Sequence, residues 1–173
     1  MNSQIIKDSR LAEEYLRVEH PSGLTMLLYP MKGFSTAYAM FSTKYGSIDT
    51  CFQRGEDADF VKVPEGIAHY LEHKMFESEE GDAFEKYAQT GASANAFTSF
   101  DKTCYLFACT DRFQESLEIL LDCVTHPYFT KETVEKEQGI IGQEIRMYED
   151  DPGWRVMFNL LQSLYQNNSV MVD

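Results

Sequence analysis

His69, Glu72 and His73 fall within one short segment, GIAHYLEHKMF (66–76). The chain has four histidines, and two of them stand here, four residues apart. At about 100° per residue such side chains lie one above the other on a helix, roughly 6 Å apart along its axis. Two imidazoles stacked in this way can reach a single cation. Glu72 sits beside the same stripe but offset from it, where it can approach a water on that cation without being a ligand. Zinc suits the set, because it takes imidazole nitrogen and carboxylate oxygen and tolerates an open fourth position. Zinc draws the pKa of a water it holds towards neutrality, and Glu72 can take the proton as general base. The order H-x-x-E-H is the inverse of the H-E-x-x-H zinc motif. The plain alternative is two solvent-facing histidines that happen to lie one turn apart.

A third ligand is expected elsewhere. In TVEKEQGIIGQEIRMYEDD (133–151), Glu137 and Glu144 are seven residues apart, about 20° short of two turns. Val134, Ile141 and Tyr148 share their stripe, so both glutamates interrupt an apolar face. A carboxylate is costly there unless paired or metal-bound. Gly139 and Gly142 lie inside the same helix, and the reading that accounts for them is a close approach by the His helix. The alternative is that both carboxylates reach solvent on a partly exposed helix.

The elements that must carry these residues are legible in outline. Residues 14–20 and 24–30, joined by the turn PSG (21–23), predict a hairpin, with 34–47 as a third strand beside it. Residues 48–63 read as a loop, and Pro64 as the first turn of the His helix. Asp82 and Gly91 bracket a short helix. ASANAFTSF and TCYLFACT form a second strand pair around Asp101 and Lys102. Asp111 opens a helix that stops near His126–Pro127. Thr130 opens another, running to about Glu149, and residues 154–166 form the last. Strands and helices are grouped rather than alternating, so the fold class is α+β, a mostly antiparallel sheet packed against several helices.

Composition limits the function classes. A hydrophobic content of 43% in 173 residues is that of a globular chain with a core. The formal charge of −13 argues against nucleic acid, which needs a basic face. It is compatible with basic peptides, though an acidic surface is commonly a solubility feature. Cys51, Cys104, Cys109 and Cys123 form no C-x-x-C pair, so free thiols are expected rather than a disulfide framework or a cysteine zinc site. The first twenty residues lack a signal-peptide core, no window approaches a membrane span, and the expected location is cytoplasmic. His20 and His126, at turns beside prolines, read as structural.

Taken together, GIAHYLEHKMF, ASANAFTSFDKTCYLF (92–107), EKEQGIIGQE (135–144) and EIRMYEDDPGW (144–154) resemble, in order, the pitrilysin/insulysin zinc metallopeptidases. That group also includes mitochondrial processing peptidase, and the later segment is most similar to its bacterial, cytoplasmic members. The resemblance implies the α+β fold of that family's N-terminal domain and one Zn2+ per chain, held by His69, His73 and Glu144. It makes Glu72 the general base and Glu137 the acidic residue of the active centre two turns before the ligand. It matches the family's substrate strand to SANAFTS, with Asn95, Ala96 and Phe97 on the peptide through edge-strand hydrogen bonds. Family members face a second, substrate-clamping domain or subunit across a chamber. The expectation is therefore that residues 1–173 are a single, incomplete N-terminal domain, with feeble hydrolysis alone for want of oxyanion-stabilising groups. The competing class is a scaffold or peptide-binding subunit without catalysis, which would need no Glu72.

Overall fold

The computed structural model describes residues 2–55 and 59–171. The chain forms two compact units that divide between Ser35 and Thr36. In the first, β1 (Asn2–Asp8), β2 (Glu13–Glu19) and β3 (Thr25–Leu28) make an antiparallel sheet in that order. The predicted hairpin is β2 and β3, with Val18 opposite Met26, closed by Gly23 at φ 89° and the Gly23 N–H on His20 O at 2.9 Å. β1 was not visible in the sequence pattern. NSQIIKD carries too few apolar residues to show alternation, and its pairing with β2, Ile5 opposite Leu16, makes it a strand.

The second unit holds β4 (Ala37–Thr43), two short pairs, β5 (Cys51–Phe52) with β6 (Val61–Lys62) and β7 (Glu77–Ser78) with β8 (Gly81–Asp82), then β9 (Ser93–Thr98) and β10 (Thr103–Cys109). Its helices are α1 (Ile67–Lys74), α2 (Ala83–Thr90), α3 (Phe113–Thr125), α4 (Lys131–Glu149) and α5 (Pro152–Leu164), with a 3-10 turn at Ser169–Met171. The expectation that residues 34–47 extend the first hairpin is corrected: β4 pairs with β10, Phe41 opposite Tyr105, in the sheet β4-β10-β9. β10 is therefore the central strand, which explains its nearly unbroken burial. Residues 48–63 contain the β5–β6 pair rather than loop alone.

The core lies between this sheet and the helices. Tyr105 and Phe107 of β10 pack with Phe76, Ala83, Tyr87 and Leu120. α2 has its predicted caps, Asp82 accepting from the Phe84 N–H at 2.8 Å and Gly91 at φ 75°. Thr130 caps α4 reciprocally with Thr133. Two boundaries differ. α1 starts at Ile67 behind Gly66 (φ 78°), three residues after Pro64. α3 is entered through Arg112 at φ 51°, because the Asp111 carboxylate accepts from the Arg112 N–H instead of capping the helix. Among the described residues, no helix is long and apolar enough to cross a membrane, and all four cysteines are free thiols.

Gly46 ties β4 to the β9–β10 turn. Its neighbours Ser47 and Ile48 donate to Ser99 O and Phe100 O at 3.0 and 3.1 Å. A Cβ here would stand 2.5 Å from both of those carbonyl oxygens and 2.6 Å from Asp101 N. All three contacts are backbone, so Gly46→Ala has to shift the turn. The expected cost is about 1–3 kcal/mol, a fall of roughly 3–10 °C in thermal midpoint by calorimetry. An unchanged midpoint would show that the turn moves freely.

Candidate metal centre

α1 is short and buries three residues, of which two are charged, Glu72 and Lys74. It packs on β9 and β10 on one side and on α4 on another. The Tyr70 hydroxyl donates to Val134 O of α4 at 2.8 Å, which ties α1 to the first turn of α4. Burial, reinforced by the charge of Glu137, raises the Tyr70 pKa above the ordinary tyrosine value and keeps that donor protonated.

The structure brings His69, His73 and Glu144 together. The two Nε2 atoms are 3.1 Å apart, and Glu144 Oε2 lies 3.7 Å from that of His69 and 3.5 Å from that of His73. A tetrahedral ion with bonds of about 2.0–2.1 Å spaces its ligand atoms about 3.3–3.4 Å apart. The triangle thus has the dimensions of one face of a zinc tetrahedron. Behind it, His73 Nδ1 faces Glu137 Oε1 at 2.8 Å. Against an ionised carboxylate, which only accepts, Nδ1 would carry the proton and Nε2 would turn its lone pair to His69 Nε2 and Glu144 Oε2. Glu137 is buried (5% exposed), whereas the Glu144 side chain keeps 24% of its surface open. Among the described residues this is the sole group of three or more His, Cys, Asp or Glu side chains close enough to share an ion.

Glu72 is buried at 8% exposure, outside that triangle, and its Oε2 accepts from Thr98 Oγ1 at 2.9 Å. Thr98 ends β9, the edge strand. The Ser99 N–H to Lys102 O bond, 2.8 Å, sets the phase of the ladder, so Ala94, Ala96 and Thr98 turn their backbone groups away from β10. The Ala96 N–H meets only its neighbour's side chain, Asn95 Oδ1 at 2.9 Å, in keeping with that direction. Asn95 and Phe97 are exposed, Phe97 by 40%, so Phe97 is not a core residue.

Sequence reasoning missed Thr98, although alternation from Ala94 and Ala96 already placed it on the face that meets α1. The role expected of two glycines is corrected: a Cβ on Gly139 would meet nothing within 4 Å, and one on Gly142 only the tip of Arg146. They do not serve the approach of α1. His20 and His126 stay at their turns, His20 beside Ser22 and His126 beside Asp122 at 3.0 Å.

A family model described as Insulinase (Peptidase family M16) matches residues 54–172. Over 168 residues, 97% of the chain, the sequence is 49% identical to the uncharacterized zinc protease YmfH of Bacillus subtilis, of which it covers 39%. It is 32% identical over 164 residues, 90% of the chain, to the chloroplastic stromal processing peptidase of Oryza sativa subsp. indica, covering 12% of it. The crystal structure of an M16-like peptidase from Alicyclobacillus acidocaldarius superposes with a TM-score of 0.87 at 42% identity, over 92% of this chain and 37% of that one. Pitrilysin superposes with a TM-score of 0.66 at 21% identity, over 84% of this chain and 16% of pitrilysin, a likeness of fold. The chain spans about two fifths of the length of YmfH and of the Alicyclobacillus peptidase.

Proposed function

The chain belongs to the insulinase family of peptidases, family M16, and we propose that it is the metal-bearing domain of a zinc endopeptidase acting on extended or unfolded peptides. The observation that carries this reading is the triangle of His69, His73 and Glu144 with Glu72 beside it. His69 and His73 through Nε2, and Glu144 through Oε2, would hold one zinc ion per chain. Bound there, zinc supplies a Lewis acid for a scissile carbonyl and an acidified water.

The rest is the work of the chain's own side chains. Glu137 holds the Nδ1 proton of His73 and so keeps its Nε2 available. Thr98 holds one oxygen of Glu72, leaving the carboxylate's other oxygen to take a proton from the attacking water and return it to the leaving amine. β9 offers its outward backbone groups to an extended peptide, with Ala96 giving the N–H and C=O and Asn95 and Phe97 lining the approach. Backbone pairing of this kind tolerates many sequences, which suits unfolded substrates. A second peptidase-like domain or subunit, outside residues 1–173, would close the site and supply the oxyanion donors; the share of the relatives spanned supports this. A cytoplasmic setting accords with the four free thiols.

Metal analysis tests the reading without an assay of activity. About one zinc per chain is expected to survive exhaustive dialysis, and His69→Ala is expected to retain none. Zinc at a hundredfold excess over its Kd should stabilise the natural chain by about 2.7 kcal/mol and leave His69→Ala unmoved in thermal melts. A folded chain that takes up no zinc would refute the proposal.

A further inference from the structure

Besides Glu72 and Glu137, a further charged pair lies at the end of α1, Lys74 with the partly buried Glu77. Lys74, the residue after His73, is wholly buried, with 0% of its surface exposed. Its ammonium pairs with the carboxylate of Glu77, the first residue of β7. The other oxygen of Glu77 accepts from Lys136 of α4 at 3.5 Å. Lys74 also lies within electrostatic reach of Glu137: burial lowers its pKa from the ordinary lysine value and the charge of Glu137 opposes that shift. The pair therefore joins α1 to β7 and, through Lys136, reaches α4.

Stability does not account for a lysine in this place. Replacing a buried ion pair by apolar side chains of similar volume is often neutral or stabilising, and Lys74, the last residue of α1, is followed by Met75 and Phe76. Such a pair does fix geometry. Its charges must meet at one distance and orientation, whereas apolar packing tolerates small rotations. One residue from His73, and joined through Glu77 to the helix that carries Glu137, geometry is what matters.

Resting on the metal-centre reading above, we propose that Lys74 and Glu77 are positioning residues of that centre. Their enclosed pair pins the C-terminal end of α1 against α4 and keeps Glu137 on His73 Nδ1. The ligand set is thus held in place by the chain itself before any metal arrives. Lys136 carries the pair's contact with α4, through Glu77 Oε1 at 3.5 Å.

The test is the double variant Lys74→Met/Glu77→Gln, which removes both charges and leaves neither buried without its partner. Its thermal midpoint is expected to stay at or above that of the natural chain. In the metal-free protein, 15N NMR of the His73 ring is expected to change from a single Nδ1–H tautomer to a mixture. Zinc affinity, measured against a chromophoric chelator, is expected to fall about 10–100-fold, as for loss of an outer partner of a ligand. Lys136→Ala, which removes the contact with α4 and leaves Lys74 with Glu77, is expected to shift tautomer and affinity in the same direction by a smaller factor. A double variant that keeps the natural tautomer, or binds zinc within twofold of the natural chain, overturns the proposal. So does failure to fold of both the double variant and Glu77→Gln alone, which would make the pair a structural element. If the natural chain binds no zinc, the metal-centre reading fails, and the tautomer comparison still decides the role of the pair.

Discussion

If the proposed peptidase reading holds, Glu72→Gln is expected to lower peptide hydrolysis about 10²–10⁴-fold, in the chain alone or joined to a second domain, and to leave zinc uptake at the natural level. The substitution is narrow. Glutamine has the same shape, and its carbonyl oxygen still accepts from Thr98 Oγ1, so the hydrogen bond that orients residue 72 survives. Glu72 stands outside the triangle of His69, His73 and Glu144, so the ion loses no ligand atom. What disappears is a base. A carboxamide cannot accept the proton of the attacking water or pass one to the leaving amine. The measurement is kcat on a quenched extended peptide, with zinc per chain determined on the same preparation. Turnover within tenfold of the natural chain would remove Glu72 from the base role, and loss of zinc together with turnover would make it a ligand. A scaffold or a peptide-binding module would show no change in either quantity.

The sequence carried local features well and long-range ones unevenly, for a physical reason. α2 was legible because Asp82 and Gly91 act on their own neighbours, through a side chain that accepts from Phe84 N–H and a positive φ. The stripe of α4 was legible because 3.6-residue periodicity places Glu137 and Glu144 with Val134 and Ile141 whatever they face. The partner of β4 was not, since an aromatic strand fits beside any sheet, and only the fold chooses β10 over the preceding hairpin. The glycines of α4 misled because close approach is one use of glycine among several, and the structure leaves Gly139 open. Within the site, H-x-x-E-H contains its own geometry, all three side chains being on one short helix. The proposed division of labour between Glu137 and Glu144 rests on long-range contacts, 64 residues for Glu137 with His73, and the bond from Thr98 to Glu72 spans 26. Spacing alone left either glutamate of α4 free to be the ligand.

That division can be measured, and the order of the two effects decides it. Glu144→Gln is expected to weaken zinc more than 100-fold, because a neutral amide replaces the anionic oxygen that stands 3.5 and 3.7 Å from the two imidazole nitrogens. Glu137→Gln is expected to weaken zinc by about 10–100-fold, since its carboxylate acts on the ion only through His73 Nδ1, at 2.8 Å. Stability of the metal-free chain should rank the opposite way. Glu144 is partly open to water, so its amide is accommodated at small cost. Glu137 is enclosed against His73 Nδ1 and its charge favours the buried ammonium of Lys74, so losing that charge leaves the ammonium dependent on Glu77. Removing one partner from a buried charge pair costs about 3–5 kcal/mol, and a fraction of that, on the order of 1–2 kcal/mol, is expected here because Glu77 remains. The two variants therefore separate along two axes, zinc affinity by chelator competition and metal-free thermal midpoint by calorimetry. A larger zinc effect at Glu137 than at Glu144 would exchange their roles. Equal zinc effects would mean that both carboxylates reach the ion, which the 2.8 Å bond from Glu137 to His73 Nδ1 argues against, because that carboxylate is already engaged on the far side of the ring.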